Sequence, residues 1–130
     1  MSDQRVDSLE PTRDLDNQQP IAMCWRDQLT AVVEALAAEN YVLAGIPFAR
    51  LESPDVAKSI ADNIADYGET IASVDSSTWS SSVAQWMDGY WDTIVDLRTV
   101  ESGRSDLILK LHVYEDAAGY VFEVDGVYVP

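Results

Sequence analysis

The sequence predicts an α+β fold in which two helices pack on one face of an antiparallel sheet of about four to five strands. Three observations carry this expectation. Large apolar side chains recur every three or four residues from Trp25 to Leu36 and again from Val56 to Tyr67, the period of a helix with one buried stripe. In Leu107, Leu109, Leu111 and Val113 every second residue is apolar, with Lys110 and His112 between them, the period of a strand with one face on a core. Turn residues in "ESGRS" and "EDAAG" bracket that strand, so its neighbours in sequence fold back beside it.

Element by element, the chain starts with Asp3, Asp7, Glu10, Asp14 and Asp16 set among Gln, Asn, Ser and Pro. Such a stretch buries too little apolar surface to offset its ordering entropy. Residues 1–20 are therefore expected to form a flexible acidic arm, and residues 21–130 a single domain. The first helix is expected between Met23 and Asn40, with Trp25, Leu29, Val32, Val33 and Leu36 on its buried stripe. The apolar run "YVLAGIPFARL" is broken by Gly45 and Pro47 and reads as a buried connection with room for a short strand. Ser53 offers a side-chain cap, Pro54 suits a first helical position and Asp55 meets the positive end of the helix dipole, so a second helix is expected from there to Gly68.

Beyond Gly68 the apolar period shortens toward two. "TIASV" reads as a short strand. Asp88-Gly89, lying between apolar runs, has the composition of a two-residue hairpin turn. Ser82 to Met87 is read as a strand, with a short helix ending at Gly89 as the competing reading. Trp91 to Thr99, Asp106 to Tyr114 and Tyr120 to Val129 then make a three-stranded meander. In the last of these, Tyr120, Phe122 and Val124 share a face while Val127 and Val129 have the other parity, so a bulge is expected at Gly126.

With 130 residues and 47% hydrophobic content, the chain suits one core. Eight Lys and Arg against 23 Asp and Glu leave a formal charge of -15, which repels nucleic acid and anionic membrane surfaces and steers basic proteins toward the chain. Cys24 is the only cysteine, which excludes an internal disulfide and a zinc site built on paired thiolates. No signal-peptide pattern and no membrane-spanning apolar run occurs, and a cytoplasmic location is expected.

Catalytic signatures are missing. His112 is the only base for a nucleophile triad, and the alternation of its strand turns it away from the core, as a lone surface histidine. The six glycines are scattered singly, so no phosphate-cradling loop exists. Trp25, Trp79, Trp86 and Trp91 suit core packing, although Trp79, in "DSSTWSSS", lacks an evident buried setting. No catalytic residue, cofactor or metal site is expected.

The candidate partner-binding residues are acidic for the most part. Asp88, Asp92 and Asp96 stand four apart, which puts Asp92 and Asp96 on one face if the segment is a strand. Glu101, Arg104 and Asp106 place opposite charges around a turn at Gly103, where Arg104 is positioned to pair with either acid.

Two stretches, "SPDVAKSIADNIADYGETI" and "YWDTIVDLRTVESGRSDLILKLHVYEDAAGYVFEVDGVYVP", resemble a family of small acidic bacterial proteins of uncharacterised function, most specifically over Gly103 to Leu107. The resemblance spans roughly residues 25 to 130. It implies a shared fold and a bacterial origin, and supplies no catalytic residue to carry over.

The function expected is that of a non-catalytic interaction protein with a basic partner. Its most concrete form is an immunity protein that covers a toxin's active site with carboxylates. Residues 51–97 would suit that task, holding nine acids against Lys58 alone. The alternative is a small ligand-binding domain or enzyme with a pocket between helices and sheet.

Overall fold

The computed structural model describes residues 10–130. In chain order it contains β1 (Gln19–Pro20), α1 (Met23–Ala37), β2 (Ala49–Leu51), α2 (Val56–Tyr67), α3 (Ser76–Ser81), β3 (Val83–Trp86), β4 (Trp91–Thr99), β5 (Gly103–Asp116) and β6 (Gly119–Tyr128). The strands form one sheet in the order β1-β3-β4-β5-β6-β2, antiparallel except where β2 runs parallel to β6. The architecture is α+β as expected. Of the two marginal strands, β2 falls in the stretch read as having room for a short strand, whereas β1, two residues long, leaves no period in the sequence.

Alternation decides which side of the sheet is the core. Along β4, Trp91, Thr93, Val95, Leu97 and Thr99 are buried, and so are Leu107, Leu109, Leu111 and Val113 on β5. They meet Trp25, Leu29, Val32, Val33 and Leu36 of α1 and Val56, Ile60 and Ile64 of α2 in a single cluster. Each such side chain contributes about 1.5–3 kcal/mol when fully removed from water. Trp25 stands at the centre, with Trp91, Tyr120 and Phe122 edge-on to it at centroid distances of 5.2, 5.6 and 6.3 Å. Trp79 does have a setting: it is half-buried against the core, with the Arg26 guanidinium 5.5 Å from its ring.

The long hairpins follow the sequence closely. Asp88 and Gly89 both take positive φ, 59° and 140°, and Met87 N–H donates to Tyr90 O at 2.8 Å, so β3 and β4 join through the expected two-residue turn. Between β5 and β6 the register slips. Lys110 lies opposite Gly126 and Leu111 opposite Val124, so Asp125 is the extra residue, which keeps Val124 and Val127 both on the core side. A second irregularity falls in "GRSDL", where Arg98 pairs with Arg104 but Asp96 with Ile108. Ser105 Oγ donates to Leu97 O and accepts from Leu107 N–H there, while Asp106 N–H donates to the Tyr67 hydroxyl at 3.0 Å. The bulge thus ties the end of α2 to the sheet.

Two local expectations are corrected, and one element is new. Ser53 is not the cap of α2: regular helix begins at Val56, Asp55 flanks it without a side-chain hydrogen bond, and residues 53–55 form a turn closed by Val56 N–H to Ser53 O. "TIASV" is no strand, because only Ile71 bridges to Thr99 before the chain turns into α3. α3 itself was not expected, since its serine-rich turn has no apolar period. It forms because Asp75 and Thr78 make a capping box, each side chain accepting from the other's end of the first turn. Gly68, at φ 83°, ends α2 as predicted.

Of the expected acidic arm, residues 1–9 lie outside the described residues. Residues 10–20 lie against the sheet. Trp91 Nε1 donates to Thr12 O at 3.0 Å, Gln85 Nε2 to Leu15 O at 2.8 Å, and Arg13 pairs with Glu115 while its guanidinium lies 5.0 Å from the Trp86 ring. The contacts with the domain therefore begin before residue 20. Composition does not reveal them, because they use backbone carbonyls and one arginine rather than apolar side chains.

Candidate functional site: the open face of the sheet

Neither long helix lies on the second face of the sheet, and the side chains there are polar, aromatic and only partly covered. Pairing sets them in rows. One row reads Gln85, Asp92, His112, Glu123 and Arg50 across β3, β4, β5, β6 and β2. Beside it Tyr114 of β5 lies opposite Val121 of β6, with Tyr90, the residue before β4, close by.

His112 is the hub of this face. Its side chain is 21% exposed, and three carboxylates surround the ring: Asp125 Oδ2 at 3.4 Å and Asp92 Oδ1 at 3.8 Å from Nε2, and Glu123 Oε1 at 4.0 Å from Nδ1. The Tyr90 ring stacks at a tilt against it, 4.4 Å between centroids, and lies 5.7 Å from the Tyr114 ring. The sequence reading placed His112 correctly away from the core, beside Lys110 and Tyr114, but as a lone surface group. Its neighbours come from β4 and β6, whose registers the sequence does not specify.

Two cations already sit on this face. Lys110 Nζ lies 2.8 Å from Asp92 Oδ1, an ion pair rather than a well-aligned hydrogen bond. Burial alone would lower the Lys110 ammonium pKa, but contact with Asp92 outweighs it and holds the pKa above the usual lysine value. Arg50 Nε donates to Glu123 Oε2 at 2.9 Å, and its guanidinium carbon lies 5.5 Å from the Tyr114 ring. Burial, and then the Glu123 carboxylate, raise the Tyr114 hydroxyl above the ordinary tyrosine value.

The six residues singled out from the sequence fall at both ends of the sheet. Asp92 and Asp96 do share the open face, but Asp96 accepts from Ser81 Oγ at the end of α3. Asp88 is exposed in the β3–β4 turn. Glu101 accepts from Thr70 N–H at 2.8 Å and from Thr70 Oγ1 at 2.9 Å, pinning the chain after α2, and these bonds hold its carboxyl below the usual range. Arg104 lies opposite Arg98 and makes no ion pair with Glu101 or Asp106 among the described residues, while Arg98 pairs with Asp75 at 3.2 Å. At about 3.3 Å per residue, the length of β4 separates the Asp88–Asp92 end from the Glu101–Asp106 end by roughly 26 Å. Tyr90, His112, Tyr114, Glu123 and Asp125, all missed, are the groups the register gathers around Asp92.

No group of three His, Cys, Asp or Glu among the described residues is arranged to hold a metal ion, and no described helix is long and apolar enough to cross a membrane. The larger grooves lie elsewhere. One of about 450 Å³ runs between α1 and the β5–β6 hairpin, lined by Gln28, Phe48, Tyr120 and Val121, and another of about 380 Å³ lies between Arg13 and Trp91.

A family model described as a domain of unknown function, DUF7668, matches residues 33–130. The chain belongs to this family. The DUF7668 match takes in Arg50, Tyr90, Asp92, His112, Tyr114, Glu123 and Asp125, whereas Arg13 and Trp25 precede it. No curated protein and no solved structure matches the chain.

Proposed function

We propose that this DUF7668 chain is a non-catalytic interaction protein that receives a basic protein partner on the open face of its sheet. The observation that supports this reading is the gathering of Asp92, Glu123 and Asp125 with the rings of Tyr90 and Tyr114 on a face that neither long helix covers. Carboxylates supply attraction and partner choice, and tyrosines supply contact area at low entropic cost. Summed over a chain of formal charge -15, the same field speeds encounter with a basic molecule. The most concrete form is an immunity protein that covers the active site of a basic toxin.

The test is co-purification of the full chain with the product of the gene beside its own. A basic neighbour that forms a salt-sensitive complex, and whose toxicity the chain suppresses, supports the reading. A neighbour that is harmless and does not bind overturns the immunity form. The groove of about 450 Å³ beside Phe48 and Tyr120 supports a second reading, a small-ligand site, whose signature would be a bound small molecule in protein purified from its native cell.

A further inference from the structure

Residues 10–16 lie across Trp86 and Trp91 without burying a side chain of their own, and Leu15 is 57% exposed. A short set of contacts holds them. Trp91 Nε1 and Gln85 Nε2 donate to the carbonyls of Thr12 and Leu15, which reads the path of the main chain and not its side chains. Arg13 alone is recognised by type: its guanidinium carbon lies 5.0 and 5.5 Å from the Trp86 and Trp91 rings, and it pairs with Glu115. That ion pair is exposed at both ends and contributes little. The surface beneath is better anchored than the strap that crosses it. Trp91 is buried and Trp86 packs against the core, their rings 4.6 Å apart. Gln85, Trp86, Trp91, Glu115 and Tyr120 all lie within the DUF7668 match, and residues 10–16 lie before it. The strap also fits incompletely. A cavity of about 380 Å³ remains beside Arg13, walled by Pro11, Trp91, Glu115 and Tyr120. Its charge fits worse, since Glu10, Asp14 and Asp16 accompany Arg13 onto a chain of formal charge -15. Burial and then Glu115, with Cys24 and Glu10 adding to them, hold the Tyr120 hydroxyl above the ordinary tyrosine value, so the place stays negative with Arg13 seated.

We propose that residues 10–16 are a removable strap over a docking site for an extended, arginine-bearing segment of a basic protein, and that Arg13 stands in for that segment's arginine. Gln19–Pro20 stay paired with β3 while the chain before them swings away. The incoming arginine takes the position between Trp86, Trp91 and Glu115, and its main chain accepts from Trp91 Nε1 and Gln85 Nε2 as the strap does. Neighbouring side chains of the segment fill the cavity beside Arg13. A basic segment also removes the strap's three acids from a negative place and puts attracted groups there. Arginine suits the position better than lysine, because a planar guanidinium covers a ring with its face while its fork reaches a carboxylate. Tethering gives the strap a high effective concentration, so the site stays closed until a better-matched segment arrives. The two tryptophans lie on the core side of the sheet, opposite His112, and the proposal does not rest on the reading of the open face.

The probe is an end-capped peptide copying residues 10–16 with its three acids replaced by their amides, compared with the same peptide carrying citrulline, a neutral isostere, in place of arginine. Each is titrated at low salt into the full chain, parent and Arg13→Ala, and followed by the indole N–H signals of Trp86 and Trp91. Arg13→Ala vacates the position without touching the core. The arginine peptide is expected to bind this variant about tenfold more tightly than the parent, whose own strap competes. Citrulline lowers affinity for Arg13→Ala about five- to tenfold, the size of a lost cation contact on two rings. Adding Glu115→Gln weakens the arginine peptide and leaves the citrulline peptide unchanged, and adding Asp66→Asn, on the exposed side of α2, alters neither. Unfolding midpoints of all variants exclude loss of fold as the cause. Four results overturn the proposal: no binding to Arg13→Ala, equal affinity of the two peptides for it, equal affinity of parent and variant for the arginine peptide, or shifts centred on Tyr90 and His112 instead of the two indoles.

Discussion

Replacing Leu109 or its neighbour Lys110 with alanine separates the two faces of the sheet in a single measurement. Leu109 is fully buried, with Val95 and Val127 as its cross-strand neighbours. Leu109→Ala removes its transfer free energy and leaves a cavity, a loss of about 2–5 kcal/mol. A domain of this size has roughly 5–15 kcal/mol in all, so the loss is a large share of the total. At about 4 °C per kcal/mol, the melting temperature falls by roughly 8–20 °C. Lys110 points the other way, 19% exposed, its ammonium paired with Asp92. Lys110→Ala gives up a partly screened ion pair and some stem contact, about 0.5–1 kcal/mol. Urea unfolding of both variants measures the difference, and the slope against denaturant should not change. Losses that agree within about 0.5 kcal/mol would refute the assignment of Leu109 to the core face and Lys110 to the open one.

Three further outcomes are expected. Trp91→Phe keeps the ring in the core but removes the Nε1 bond to Thr12 O; it should cost about 1 kcal/mol and accelerate amide exchange at residues 12–16 more than in β4, and uniform exchange would argue against that tether. Acid should weaken the fold through Glu101 and Asp75. The Thr70 backbone bond holds Glu101 low and the Ser77 hydroxyl holds Asp75 low, so their stabilisation is complete above the ordinary carboxylate pKa and is lost as pH falls through the lowered folded values. Glu101→Gln and Asp75→Asn should therefore flatten the loss of urea midpoint as pH falls below about 4, and acid limbs parallel to the parent's would count against these bonds. Gly68→Ala should cost roughly 1 kcal/mol because φ is 83° there, whereas Gly126→Ala should be near neutral, its added carbon meeting only the Tyr128 ring at 3.5 Å; a reversal of that order by thermal melting would contradict the backbone geometry.

The sequence made legible whatever rests on local period. α1, α2, the Asp88-Gly89 turn, the meander and the bulge beside Gly126 all follow from apolar spacing and turn chemistry. What escaped it depends on groups far apart in the chain. β1 is too short to show alternation and exists because β3 offers it an edge. α3 rests on two side chains that cap each other, in a stretch whose composition suggests a loop. The site divides likewise. Alternation on β5 put Lys110, His112 and Tyr114 on one face, and alternation on β4 gave Asp92 and Asp96. That Glu123 and Asp125 close around His112 depends on the β5–β6 register and its one-residue slip, and acids so abundant offered no reason to choose those two.

The margins of the sheet carry a consequence for assembly. An unpaired strand edge is a template on which another chain can be laid down hydrogen bond by hydrogen bond. Here one margin is Gln19–Pro20, whose proline has no N–H to give, and the other is the three residues Ala49–Leu51. Beyond the Gln19 end of this strand, Gln85 turns its side chain to the Leu15 carbonyl. Among the described residues, neither marginal strand is itself long enough to serve as such a template. If the open face receives a partner as proposed, side-chain contacts rather than an added strand hold it, whatever the partner's own secondary structure.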